Sequence, residues 1–215
     1  MKWNFIYQQK GIVQSRVLDI VKKFEKILPN KNLKVLDLGC GTGRHTFYLS
    51  RKKDRTIYAF DLSKKGIEII KEKCKNKNIL NVKTKIGNFS KLPFKNSSFD
   101  AILSTKALHH GSYNQINQYV SEINKVLKKG GLLLLVILSN KDFREKTGIN
   151  YQGDERTKIN CDNLPDSEIP HHFFNEEELK EIFSGYKFLE KKIVKRIAMK
   201  GLKPSIYYDL ILKKL

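Results

Sequence analysis

A closely spaced set of glycines constrains this chain more than any other part of it. Val35-Leu36-Asp37-Leu38 is a strand-like apolar run, and Gly39-Cys40-Gly41-Thr42-Gly43 follows with glycine at every second position. A helix is expected at once, from about Arg44 to Lys52. Glycine lets the backbone turn sharply and lets a ligand touch the main chain. A helix N-terminus adds free N–H groups. A strand, a glycine bend and a helix in that order place a nucleotide or nucleoside at the carboxyl edge of a parallel sheet.

The details narrow the ligand. A dinucleotide fingerprint needs its third glycine one place later, where Arg44 stands, and the Gly-Lys-Ser/Thr of a phosphate-binding loop is absent. Asp37, an acid at the strand tip, would repel a pyrophosphate. It suits a cation, such as the ammonium of an amino-acid tail or its water shell. Asp61 ends the next strand, 18 residues beyond Gly43. That is the place for an acid accepting from both ribose hydroxyls. Plainer roles remain open for both: Asp37 capping the following turn, and Asp61 capping the helix that starts at Ser63.

The remaining pattern alternates strands and helices. Spacing of Val13, Val17, Ile20, Val21, Phe24, Ile27 and Leu28 predicts an amphipathic helix over 13–28. Strands are expected at 33–38, 56–60, 81–86, 99–103 and 132–138. Helices are expected after Ser63, with Ile67, Ile69, Ile70 and Cys74, and over Ile116 to Leu127. Such alternation means crossover units and a parallel sheet. Residues 140–174 show little periodicity, and so long a connection reads as a lid. Asn175 to Glu178 reads as a capping box opening a helix through Phe183. Phe188–Ile197 and Ser205–Leu212 then form an antiparallel hairpin at the sheet edge, turning at Gly201 and Pro204.

These residues carry a resemblance to the class I S-adenosylmethionine-dependent methyltransferases. Val35 to Gly43 resembles their first motif, and Asp61 their ribose acid. Gly87-Asn88-Phe89 resembles the loop after the third strand, with Asn88 meeting the adenine amino group. Many members carry Asp there; Asn still accepts through its carbonyl but brings no charge. Phe99-Asp100-Ala101-Ile102 resembles the fourth-strand motif, with Ser104 and Thr105 at the cofactor edge. Leu127-Lys128-Lys129-Gly130-Gly131 resembles the turn into strand five. The resemblance implies a Rossmann-like α/β fold: a seven-stranded, mostly parallel sheet with a C-terminal antiparallel hairpin and helices on both faces. It implies one domain over 1–215, comprising an N-terminal cap helix in 1–30, a cofactor-binding core over 33–139, the lid over 140–174, and a helix with closing hairpin over 175–215. It also implies S-adenosylmethionine as cofactor, S-adenosylhomocysteine as product, and Asp37, Gly39, Cys40, Gly41, Gly43, Asp61, Leu62, Asn88, Phe89, Ser104 and Thr105 as the cofactor site. Phe60, Leu62 and Phe89 are candidates to sandwich the adenine, or are core residues. Cys40, between two glycines, reads mainly as a small buried filler. Similar enzymes cover the pocket with an N-terminal helix, which points to Tyr7, Gln9 and Arg16.

Two histidine pairs stand where a methyl acceptor would bind. Leu108-His109-His110-Gly111 follows strand four, and Pro170-His171-His172-Phe173 ends the lid. Histidine serves as base, hydrogen-bond donor or metal ligand. His109 and His171 are the expected substrate contacts or bases, while His110 and His172 read as loop-shaping. No metal is expected, because neither pair has helical i, i+4 spacing and no cysteine accompanies them.

Composition sets the remaining bounds. The formal charge is +20, carried by 35 Lys and only 7 Arg spread along the chain. This reads first as a lysine-rich soluble surface, and second as a polyanion-binding face. Residues 140–174 hold seven acids and five bases, net −2, which leans towards a small neutral or cationic acceptor. No apolar run is long enough to span a membrane. There is no signal pattern at the N-terminus, and Cys40, Cys74 and Cys161 are too scattered for a disulfide scaffold, so a cytoplasmic protein is expected. The expected function is methyl transfer to a small molecule. The alternatives are transfer to transfer or ribosomal RNA, favoured by the charge, and a non-catalytic cofactor-binding partner. Oligomeric state and the acceptor atom are left open.

Overall fold

The computed structural model describes residues 2–12, 15–29, 32–160, 166–197 and 203–215. In chain order the elements are α1 (Lys2–Lys10), α2 (Asp19–Ile27), β1 (Leu33–Leu38), α3 (Arg44–Leu49), β2 (Arg55–Asp61), α4 (Lys64–Asn76), β3 (Val82–Ile86), β4 (Phe99–Thr105), α5 (Tyr113–Val126) and β5 (Leu127–Leu138). Then follow α6 (Arg144–Thr147), β6 (Ile149–Tyr151), β7 (Asp154–Ile159), β8 (His171–His172), α7 (Glu176–Ile182), β9 (Tyr186–Arg196) and β10 (Ser205–Lys214). One seven-stranded sheet has the order β3-β2-β1-β4-β5-β10-β9. Its first five strands are parallel, and β10 runs antiparallel to both β5 and β9. The expected fold is therefore present.

Strand alternation builds the two faces. Leu133, Leu135 and Ile137 of β5 join the cluster under α5 and α7, whereas Leu134, Val136 and Leu138 join the cluster under α2 and α3. A strand covered on both faces reads as a continuous apolar run, as β5 does. β1 follows the same rule. Leu36 and Leu38 face α5, while Leu33 and Val35 face α2, so Asp37 points to the α2–α3 side. The sequential order of strands reverses between β1 and β4, and the loops beyond their carboxyl ends frame the site.

Several local expectations are revised. The first predicted helix begins only at Asp19, because Leu18 is extended and its N–H is held by His45 Nε2 at 3.4 Å. Val13 lies outside the described residues. A separate helix, α1, precedes it and buries only Ile6. The lid is not a bare loop: β6, β7 and β8 form their own antiparallel sheet. The capping box at Asn175 is half formed. Asn175 Oδ1 accepts from Glu178 N–H at 2.9 Å, but the Glu178 carboxylate turns to His172 Nε2 at 2.8 Å. The hairpin β9–β10 is as expected, with Gly201 outside the described residues. No helix among the described residues is long and apolar enough to cross a membrane.

Candidate functional site

The glycine bend shapes the first half of the site. Gly39, Gly41 and Gly43 have φ of 78°, 55° and 86°, which side chains adopt at a cost. A Cβ on Gly39 would sit 2.4 Å from Ala107 Cβ, and one on Gly41 would sit 2.7 Å from Tyr7 Oη. The bend is pinned by Asp61. Its Oδ2 accepts from Gly41 N–H at 2.7 Å and its Oδ1 from Ser63 N–H at 2.8 Å. Ser63, not Asp61, caps α4: its Oγ accepts from Gly66 N–H at 3.1 Å, while Asp61 seats the cap residue. Burial raises the Asp61 pKa.

Asp37 lies behind this bend. It is buried, and its Oδ2 accepts from Thr46 Oγ1 at 2.6 Å. Burial lifts its pKa to about 6, opposed by that hydrogen bond and by Arg44. His45, a residue the motif reading passed over, locks the same corner. Its Nε2 accepts from Leu18, which leaves Nδ1–H for Thr105 Oγ1 at 3.0 Å. Burial holds its pKa far below the ordinary imidazole value.

A cavity of about 550 Å³ opens beyond the bend. Of the expected site residues, Gly39, Cys40, Gly41, Asp61, Leu62, Asn88, Phe89, Thr105, His109 and His171 stand on its wall. Asp37, Gly43 and Ser104 do not. Gly43 packs against Ile70 and Phe47, and the Ser104 hydroxyl is buried without a hydrogen-bond partner. Phe60 is also off the wall, filling the space beneath Gly87. Asn88 Oδ1 accepts from Ser90 N–H at 3.0 Å, forming a local turn. The Cys40 thiol stays protonated, its pKa raised by burial and then by Asp61 and Asp37.

α1 roofs the cavity with Trp3, Ile6 and Tyr7. Asn4 Oδ1 accepts from Lys65 N–H at 2.8 Å, tying α1 to the start of α4. Of the three residues expected in this cover, Tyr7 reaches the wall, whereas Gln9 and Arg16 are exposed. Burial raises the Tyr7 phenol above its ordinary value, so it is neutral.

The two histidine loops do converge, but across pairs. His110 and His171 form an antiparallel bridge, and His172 N–H donates to His109 O at 2.8 Å. Ring centroids are 4.4 Å apart for His109 and His110, 4.9 Å for His110 and His171, and 5.9 Å for His109 and His171. His172 instead bonds Thr157 Oγ1 at 2.8 Å and Glu178, and holds the lid sheet onto α7. Burial, then His110 and His171, depress the His109 pKa strongly. Burial and His171 bring His110 down to about 3. Asp166 also stands on this wall, 3.6 Å from His171 Nε2. Burial works to raise its pKa, but His171 and His110 hold it well below its ordinary value. The spacing test within each pair could not find this cluster, because its members come from both pairs.

Charge on the wall is the reverse of that in the lid sequence. Lid acids are engaged elsewhere: Asp142 binds Arg144 at 2.9 Å, Asp154 accepts from Thr157 at 2.5 Å, and Glu168 pairs with Lys2. The wall itself carries Lys10, Arg44 and Lys106 against Asp61 and Asp166, with Arg144 on the wall already paired to Asp142. Lys106, directly after β4, has φ of 57°, and its Nζ lies 4.8 Å from the Tyr207 ring centroid. Burial, then Arg44 and Arg196, lower its pKa to about 8. A strained non-glycine backbone at a strand tip is a mark of functional sites.

Residues 35–131 match the family described as a methyltransferase domain. The ubiquinone biosynthesis O-methyltransferase of Pelagibacter ubique is 35% identical over 111 residues, covering 52% of this chain and 44% of that protein. An uncharacterized methyltransferase of Synechocystis is 34% identical over 146 residues, covering 63% and 66%. The chain thus spans less than two thirds of these relatives' own length. Among solved structures, the 1,6-didemethyltoxoflavin-N1-methyltransferase of Burkholderia thailandensis, with bound 1,6-didemethyltoxoflavin and S-adenosylhomocysteine, has a TM-score of 0.68. It shares 17% identity over 97% of this chain and 80% of its own. A SAM-dependent methyltransferase from Methanosarcina mazei reaches a TM-score of 0.75 at 19% identity, covering 90% and 97%. Over residues 35–131 the chain is thus similar to methyltransferase domains, and its fold is that of solved S-adenosylmethionine-dependent methyltransferases. The glycine bend with no room for side chains, and Asp61 with spare lone pairs, fit the cofactor of those enzymes.

Proposed function

We propose that this protein transfers the methyl group of S-adenosylmethionine to a small-molecule acceptor. One observation carries the reading: the Gly39–Gly43 bend, pinned by Asp61, opens into the same roofed cavity as the converging histidine loops. When bound, the cofactor supplies an electrophilic methyl on its sulfonium. Asp61 would accept from the ribose hydroxyls, Asn88 would meet the adenine amino group, and Leu62 and Phe89 would flank the ring. Gly39, Cys40 and Gly41 let the amino-acid end lie against main chain. Thr105, fixed by His45, walls that end, with Ser104 behind it. Asp37 and Gly43 act from beneath, one balancing Arg44 and the other seating α3 on α4.

His109 and His171 would touch the acceptor. With its pKa so depressed, His109 is a neutral positioning group and a weak base. The basic wall favours an acceptor that is anionic or ionises on binding, contrary to the leaning drawn from lid composition. A cavity of about 550 Å³ matches the size range of small-molecule sites, and the relative from Burkholderia holds such a molecule. Alignment and exclusion of water under α1 are the main catalytic means available, worth up to ~7–11 kcal/mol in well-oriented systems. We read the chain as one working unit of the cytoplasm, where the free thiols Cys40 and Cys74 would stay reduced.

The test is a calorimetric titration with S-adenosylhomocysteine, followed by transfer of labelled methyl to a panel of phenols, carboxylates, thiols and transfer RNA. Binding with transfer to a small acceptor is expected. Absence of binding would refute the reading. Transfer confined to RNA and lost steeply with salt would refute the acceptor class.

A further inference from the structure

We propose that His109, His110 and His171 bind a divalent transition-metal ion, and that this ion holds the methyl acceptor through an oxygen or sulfur atom. One nitrogen from each ring lies within 4.8 Å of the other two. A tetrahedral ion with bonds of about 2.0–2.1 Å needs its nitrogens about 3.3–3.4 Å apart. Side-chain torsions alone can close the remaining ångström or so.

The lone pairs are free for this task. His109 Nδ1 is buried and has no hydrogen-bond partner, a costly state for an imidazole nitrogen unless something binds it. His171 Nδ1 lies 2.6 Å from the Ile169 carbonyl, which can only accept, so this nitrogen carries the proton. Its Nε2, the nitrogen left for an ion, faces the cavity wall with Asp166 Oδ2 3.6 Å away. A ligating imidazole whose other N–H is held by a carbonyl is the usual supporting arrangement at a metal.

The scaffold is rigid where it needs to be. The loops are stitched by the His110–His171 bridge, by Gly111 N–H donating to Pro170 O at 3.0 Å and by His172 N–H donating to His109 O. Three protein donors with the remaining position open to a cavity is the pattern of a working site rather than a structural one. Imidazole nitrogens select Zn²⁺, Co²⁺, Ni²⁺, Fe²⁺ or Cu²⁺ over Mg²⁺ and Ca²⁺. Asp166 offsets part of the ion's charge. The acceptor is accordingly an alcohol, phenol or thiol that binds the ion as its conjugate base and releases its proton to solvent. The acceptor's part rests on the methyl-transfer reading; metal binding does not.

The experiment uses metal-stripped full-length protein without a polyhistidine tag. It is titrated with Co²⁺, following visible ligand-field absorption, and in parallel with S-adenosylhomocysteine. One Co²⁺ per chain is expected, displaced by Zn²⁺ and unaffected by excess Mg²⁺. His110→Ala and His171→Gln should each lose at least tenfold in Co²⁺ affinity. Both should still bind S-adenosylhomocysteine, which shows that they are folded. No Co²⁺ bands in the wild type, or full Co²⁺ affinity in His110→Ala, would overturn the metal site. Wild type that takes up Co²⁺ but ignores S-adenosylhomocysteine would support the metal and overturn the methyl-transfer reading instead.

Discussion

Asp37→Asn is expected to make this protein more stable while making it work less well. Asp37 is fully enclosed, and burial raises its pKa from an ordinary 3.8 to about 6. The folded state therefore holds the Asp37 proton more tightly than the unfolded chain does. Its stability contribution falls as pH rises through the window from about 4 to 6, then levels off. At about 1.36 kcal/mol per unit, the ionised side chain costs about 3 kcal/mol at pH 7.5 and about 1 kcal/mol at pH 4.5. Asparagine has nearly the same shape and its Oδ1 can still accept from Thr46 Oγ1. The variant should thus exceed wild type by about 3 kcal/mol at pH 7.5, with the gap shrinking to about 1 kcal/mol at pH 4.5. Denaturant unfolding of both proteins across that range measures it. A gap that does not change with pH, or a less stable variant at pH 7.5, would refute the reasoning. S-adenosylhomocysteine affinity should drop by about tenfold or more, since Arg44 then loses its counter-charge.

Other substitutions report on separate parts of the site. Asp61→Ala removes the acceptor for Gly41 and Ser63 N–H groups and the ribose contact. Calorimetry should find no tight S-adenosylhomocysteine binding, and unchanged affinity would contradict the assignment. Gly41→Ala forces a side chain into φ of 55° and towards Tyr7 Oη. It should cost about 1–2 kcal/mol in stability and weaken cofactor binding. His172→Ala leaves Glu178 and Thr157 without their buried partner. It should lose about 2–4 kcal/mol in thermal or denaturant unfolding, with S-adenosylhomocysteine affinity intact below the transition. A loss of cofactor affinity there would give His172 a direct role.

The parallel sheet was legible because period-two burial, glycine bends and capping signals repeat along the first 140 residues. Ser63 caps α4 and Asn175 caps α7, as local chemistry dictates. The expected cofactor half was legible because each piece follows a recognisable strand: Gly39 to Gly43 after β1, Asp61 at the end of β2, Asn88 and Phe89 after β3, and Thr105 at the end of β4. The acceptor half was legible only in part: His109 and His171 were named and stand on the wall, but their meeting with His110 and Asp166 depends on pairings distant in sequence. Lid strands β6–β8 are two to six residues long, below the length at which alternation shows. Lys106 gave no signal, since a lone lysine in a chain with 35 says nothing until burial sets it apart. His45, Arg144 and Asp166 were equally silent. Lid composition does not report the charge of the wall, because Asp142 and Asp154 serve as internal partners, which no net charge can reveal.

The roofing helix touches both ends of the cavity at once. Trp3 stacks near His110 and, one turn on, Tyr7 hangs over Gly41. Beyond these contacts α1 is held by Lys2 to Glu168, by Asn4 to Ser63 and Lys65, and by buried Ile6. A nucleoside that settles beneath Tyr7 would stiffen the whole segment and thereby set Trp3 over the histidines. The first guest would prepare the seat of the second, and departure of either would loosen the other's grip. Fluorescence of Trp3, the chain's single tryptophan, offers a built-in reporter of that order of arrival.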